Sequence, residues 1–112
     1  MQHKEQDSGR FAELSLVEQL ANVGSEVERT IRWKQKGNKE YSQMAFERAL
    51  ELIDLSLADK KNSSHSRLRE IGRVREGLVD YFMEQNSYGS SDKGWQKYFY
   101  AFTFAARLQS GR

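Results

Sequence analysis

The chain's whole stock of imidazole is His3 and His65, and it contains no cysteine. Thiolate nucleophiles, a disulfide framework and Cys-ligated zinc are therefore excluded. His65 stands in the polar stretch Lys60-Lys61-Asn62-Ser63-Ser64-His65-Ser66. A Ser–His couple needs residues brought together by the fold, with a third group to orient the base, and neighbours along one turn do not provide that. A dimetal centre in a helical bundle would use Glu-x-x-His on facing helices, a spacing that occurs nowhere here. The eight glycines are scattered without Walker or dinucleotide spacing, so the sequence writes no phosphate-cradling loop. The expectation is a protein that is not an enzyme and needs neither metal nor cofactor.

Charged and aromatic residues are more informative. Arg67, Arg69, Arg73 and Arg75 lie in one stretch whose guanidinium forks suit phosphate. On a helix, however, Arg69 and Arg73 share their outer face with Glu76 and Asp80, carboxylates that repel phosphate and pair with arginine. Nucleic acid is accordingly not expected as a partner. Arg75 projects into the apolar arc, close to Ile71 and between Phe82 and Leu68. It must snorkel or meet a carboxylate, supplied by the second helix or by Glu26 or Glu28 of the first. A structural ion pair is preferred. The alternative is an anion- or nucleotide-binding module in which Arg75 and Tyr88 are the ligand-binding residues.

Six aromatics fall between Trp95 and Phe104. Trp95, Tyr98, Phe99 and Phe102 share one helical face. Tyr100, Phe104 and Leu108 recur at i, i+4 and i+8 on the opposite face, rimmed by Lys97, Thr103 and Arg107. An apolar strip inside a polar rim is the pattern of an interface, so these three residues are expected to mate with a second copy, as a homodimer, or with a protein partner.

The elements that must position these residues are helices. The chain has 112 residues, no proline, 38% hydrophobic and 30% charged residues, and 18 Lys+Arg against 16 Asp+Glu. Mean hydropathy is -0.84. That length fits one domain, and the balanced charge offers no bulk attraction for nucleic acid or membrane. Ser15-Leu16-Val17-Glu18 reads as a capping box opening a helix over 16–36, with Leu16, Leu20, Val23, Val27 and Ile31 on one face and Gly37 at its end. Asn38 caps a second helix over 39–59, apolar around more than half its circumference and so expected to be central. A third, over 67–85, is expected to bury Leu68, Ile71, Val74, Leu78, Val79, Tyr81 and Phe82, with Gly72, not Gly77, placed to admit another helix. After the turn at 86–91, Ser91 caps a fourth helix over 92–108. The economical fold is all-α, a single-domain up-and-down four-helix bundle over 11–109 behind a disordered tail at 1–10. No run approaches a membrane span and the N-terminus has no signal-peptide pattern, so a soluble, cytoplasmic protein is expected.

Four segments, ELSLVEQLANVGSEVERTIRW, AFERALELIDLSLAD, YGSSDKGW and YFYAFTFAAR, resemble stretches of a family of small prokaryotic helical proteins with no assigned activity. The resemblance spans about residues 13–107 and implies a helical fold and a prokaryotic origin. In shape alone, a short bundle of this kind also resembles the HEPN superfamily, whose members serve as RNases or as partners of minimal nucleotidyltransferases. The RNase members carry an Arg a few residues before a His. Here the corresponding positions before His65 hold Ala58, Asp59 and Lys60, and none precedes His3. That resemblance therefore implies a non-catalytic member.

Overall fold

The structure, a computed structural model, describes residues 9–110. The tail expected at 1–10 lies outside the described residues except for Gly9 and Arg10, which open a short helical segment over 9–13. Four long helices follow: α1 (Leu16–Gln35), α2 (Lys39–Ala58), α3 (His65–Met83) and α4 (Asp92–Gln109), with a 3-10 turn at Lys60–Asn62. Among the described residues there is no strand, and the fold is all-α. Among the described residues, no helix is long and apolar enough to cross a membrane.

Local chemistry sets the helix ends. The Glu18 amide donates to Ser15 Oγ (3.1 Å) while the Ser15 amide donates to Glu18 Oε1 (2.9 Å), completing the expected capping box. Gly37, at φ +79°, takes the left-handed conformation that ends α1. Asn38 Oδ1 accepts from the Tyr41 amide and so starts α2 within three residues. α2 stops at Ala58, one residue short of the expected end, because Asp59 turns extended and its Oδ1 caps the 3-10 turn through the Lys61 amide. α3 begins two residues earlier than expected, capped by Ser64. It also ends two residues earlier, because the Glu84 and Asn86 amides both wrap back onto the Asp80 carbonyl and Asn86 adopts φ +54°.

α1 lies between α2 on one flank and α4 on the other, and α3 leans on α2. This corrects the expectation that the second helix is central: α1 has close helix contact along both sides. Gly24 supplies part of the reason. A Cβ there would stand 2.7 Å from Phe99 Cβ, so the bare glycine is the notch that admits α4. The core joins Val23, Val27 and Ile31 of α1 with Phe46, Ala49 and Ile53 of α2, Ile71 and Leu78 of α3, and Phe99 of α4.

The face of α3 differs from its expected one. Leu68 is exposed and Arg75 is partly so, whereas Gly77 and Asp80 are buried. Gly77, not Gly72, meets another helix: its Cβ would lie 3.0 Å from Trp95 Cζ2, while Gly72 has nothing within 4 Å. Asp80, assigned from sequence to the solvated face, is held inside by the Ser87 and Tyr88 amides, which donate to its two carboxylate oxygens at 2.8 and 3.1 Å. Those donors offset the cost of burying the carboxylate, and they fix the turn leading into α4. α3 and α4 hardly approach at backbone level, so the seam between them is closed by side chains alone.

Candidate functional site

Three fixings set the rotation of α4. Phe99 seats in the Gly24 notch. At the helix start, Asp92 Oδ1 accepts from the Tyr81 hydroxyl (2.6 Å) and from Lys34 Nζ (2.9 Å). At its end, Ser15 Oγ donates to Gln109 Oε1 at 2.8 Å. Burial raises the Asp92 pKa, but the hydrogen bonds from Lys34 and Tyr81 outweigh it and the carboxyl ends below its ordinary value. Burial likewise works against the Lys34 charge, yet its bonds to Asp92 and Tyr81 leave its pKa raised. Trp95, Tyr98 and Phe102 are half-buried beside Phe99, with Trp95 stacked on Phe99 at 5.9 Å and Tyr98 edge-on to Phe102 at 5.3 Å.

With that face committed inward, the i, i+4, i+8 stripe must face away. Tyr100, Phe104 and Leu108 are 61%, 51% and 66% exposed. The Tyr100 and Phe104 rings lie 23° from parallel, with centroids 6.5 Å apart. Lys93, Lys97 and Arg107 share this face, since all six positions fall within an arc of about 100°. None of the three cations is paired with a carboxylate among the described residues. Beside Tyr100, a groove of about 310 Å³ runs between α4 and α1, with Ser25, Glu28, Arg29, Arg32, Gln96 and Thr103 among its lining residues. Arg29 and Arg32 reach Glu26 (3.5 Å) and Glu28 (3.1 Å) and remain largely exposed.

A second candidate is the α3/α4 seam, where a cleft of about 480 Å³ is lined by Glu70, Arg73, Val74, Ser90, Trp95 and Tyr98, among others. The Tyr98 hydroxyl donates to Glu70 Oε2 at 2.7 Å. Burial, and then the Glu70 carboxylate, push the Tyr98 pKa above the ordinary phenol value, so it stays a donor. Arg73 has no ion pair among the described residues, and Trp95 Nε1 is buried without an acceptor. The cleft joins an aromatic wall to an uncommitted cation, which suits a small anion with a flat apolar part. No serine–histidine couple lines it: Ser91 Oγ is occupied as the α4 cap, and His65 does not line the cleft. Among the described residues no cluster of His, Asp and Glu could hold a metal ion.

The residues singled out in the sequence fall in different places. Arg75 Nε donates to Asp54 Oδ1 at 2.9 Å, a partly exposed pair to the second helix. It does not line the cleft. Tyr88 points to solvent, and its backbone rather than its ring is used, by Asp80. Arg75 and Tyr88 share neither a hydrogen bond with each other nor a place in the cleft lining. The cleft residues Arg73, Glu70 and Tyr98 were not foreseen, because the approach of α3 to α4 depends on Gly77 facing Trp95. A glycine beside apolar residues of α3, followed three residues later by an acid, was the available signal. In comparisons with known proteins, no family model, no curated protein and no solved structure matches this chain.

Proposed function

We propose that this is a non-enzymatic helical-bundle protein that acts by docking another protein surface, a second copy or a different partner, on the outer face of α4. The observation that carries the reading is the stacked Tyr100–Phe104 pair with Leu108 one turn on, each more than half exposed on a helix whose other face is already spent on the core. Three large apolar side chains aligned in water are a standing cost that an interface removes, at about 1.5–3 kcal/mol for each fully buried. The scaffold behind them is read as an up-and-down four-helix bundle, a reading supported by the tight reversal at 36–38 between α1 and α2. The test is the Tyr100→Glu/Phe104→Glu variant. It should keep wild-type helicity and melting temperature while losing self-association by light scattering, or losing a discrete photo-crosslink from position 108 to an identified protein. A variant that unfolds, or a position 108 that crosslinks no better than exposed Met83, overturns the reading.

A second reading has its own observation. Unpaired Arg73 beside Trp95 in the α3/α4 cleft would suit an anion-binding module. Quenching of tryptophan fluorescence by a nucleotide in the wild type, and not in Arg73→Ala, would favour it over docking.

A further inference from the structure

The α4 face also carries information about what covers it. We infer that its occupant is an acidic, amphipathic helical segment of a different protein, not a second copy; the inference rests on the docking reading above.

Area speaks first. Aromatic side chains offer about 150–250 Å² each when fully buried, so at their present exposure Tyr100, Phe104 and Leu108 can contribute roughly 400 Å² per chain. Two copies meeting on the stripe alone would bury about 800 Å², below the ~1,200 Å² at which stable interfaces begin. A lasting contact must therefore extend onto the residues that flank the stripe.

Three of those residues are cations. Among the described residues, Lys93, Lys97 and Arg107 share the face without carboxylate partners, whereas Arg29 and Arg32, exposed across the neighbouring groove, are already paired with Glu26 and Glu28. In an antiparallel two-fold pairing that sets Tyr100 on Phe104 of the second copy, Lys97 falls opposite Arg107 of that copy. Like charges facing across an interface cost affinity and are the usual means of rejecting a partner. Sliding the copies until Phe104 meets Phe104 relieves that clash, but it carries Lys93 and Lys97 past the end of the opposing helix and keeps the contact small.

An acidic amphipathic helix has neither difficulty. From Lys93 to Leu108 the face runs about 22 Å, or four turns, a span over which a helix offers apolar anchors at i, i+4 and i+7. The anchors would rest on Tyr100, Phe104 and Leu108 and enter the groove beside Tyr100. Carboxylates on the flanks would meet the three free cations. Single-stranded nucleic acid could use the two rings and the same cations. Leu108, the most exposed of the three, gives a base no face to stack on, and three cations are few for a phosphate chain.

The probe is a fluorescein-labelled helical peptide of about 18 residues, with Leu on one face and Glu flanking it. Its Glu→Gln counterpart and an oligothymidylate serve as comparisons, and binding is read by anisotropy at low salt. The Glu peptide should bind roughly fivefold to tenfold tighter than the Gln peptide, as three rim charge pairs would give. Lys93→Gln/Lys97→Gln/Arg107→Gln should erase that advantage, and Tyr100→Glu/Phe104→Glu should abolish binding of both peptides. Equal binding of the two peptides, still lost in the Tyr100/Phe104 variant, leaves docking standing and overturns the acidic partner. A wild type that dimerises through the same residues, or that prefers the oligothymidylate, overturns it in favour of those occupants. Failure of every probe together with a strictly monomeric protein counts against both readings.

Discussion

α4 has two seams, and they are built on opposite plans. Toward α1 the helix is locked: Phe99 fills the Gly24 notch, and Asp92 and Gln109 are held at the two ends. Toward α3 the backbones stay apart, and the gap is bridged by Trp95 lying over Gly77, by Tyr98 reaching Glu70 and, at the start of α4, by the Tyr81 hydroxyl on Asp92. Both seams use a glycine facing an aromatic ring, so composition does not separate them. What differs is which atom of the ring residue meets the glycine. At Gly24 it is Phe99 Cβ, fixed to its own backbone; at Gly77 it is the outer edge of the Trp95 indole, which can tilt. A near-backbone contact sets the distance between two helices, whereas a contact with a ring tip leaves that distance free. The locked seam is the reason the outer face of α4 is held outward, and the loose seam is the reason a cleft remains.

The largest test of this contrast is Phe99→Ala. It should cost about 3–5 kcal/mol, because the ring is buried between α1 and α4 and nothing nearby can collapse into its place. Trp95→Ala should cost less despite the larger side chain, since the indole borders an open cleft and is already partly hydrated. Urea denaturation of the two variants checks the order. A Trp95→Ala loss exceeding that of Phe99→Ala would mean that the α3/α4 seam bears the greater load.

The glycines sharpen the same comparison at a smaller scale. Alanine gains about 1 kcal/mol over glycine inside a helix. At Gly24 the added Cβ meets Phe99 Cβ at 2.7 Å, and overpacking of about 1–3 kcal/mol should reverse the gain, so Gly24→Ala lowers stability. At Gly77 the neighbour is a ring edge at 3.0 Å, so a small tilt suffices and Gly77→Ala should be near neutral. Gly72→Ala, with open space around it, should stabilise by up to about 1 kcal/mol. Thermal melts of the three variants should rank them in that order, and a stabilising Gly24→Ala would show that the notch is not tight.

These glycines also mark where the sequence stops being legible. Helix starts could be read from it because a cap is local: Ser15 with Glu18, Asn38 and Ser91 each act within three residues. The solvent-facing Tyr100, Phe104 and Leu108 were legible because no single helix buries two opposite faces in a small bundle. The rotation of α3 was not. Its apolar residues spread over a broad arc that also contains Arg75, and a wheel centred on that arc turns Gly77 and Asp80 outward. Two facts from elsewhere in the chain decide the matter: the turn at 86–91 needs the Asp80 carboxylate, and Trp95 needs a gap to lie over. Neither is written within α3. The α3/α4 cleft depends on that rotation and was hidden with it, while a carboxylate partner for Arg75 was legible from charge and reach alone, with the choice between the first and second helices left open until Asp54 is seen to supply it.

The smallest test compares the polar latch on each seam. On the locked side, Asp92, held by Lys34 of α1 and also by Tyr81 of α3, has a lowered pKa, so its contribution is complete above the unfolded-state value near 3.9 and is lost as pH falls through the folded-state value. Lys34, with a raised pKa, acts in the opposite sense: its share is complete below the unfolded-state value near 10.4 and fades as pH rises through its folded-state value. Asp92→Asn should therefore lose a fraction of 1 kcal/mol at neutral pH, and the loss should shrink as the medium is acidified below the unfolded-state value. On the open side, Tyr98→Phe leaves Glu70 free to be solvated, so its cost at neutral pH should be smaller still. The two variants, followed by urea midpoint at neutral and acid pH, separate a latch that holds two helices together from one that merely spans a gap. A Tyr98→Phe loss larger than that of Asp92→Asn would mean that the phenol–carboxylate bond, and not the Asp92 anchor, sets how far α4 stands from the rest of the bundle.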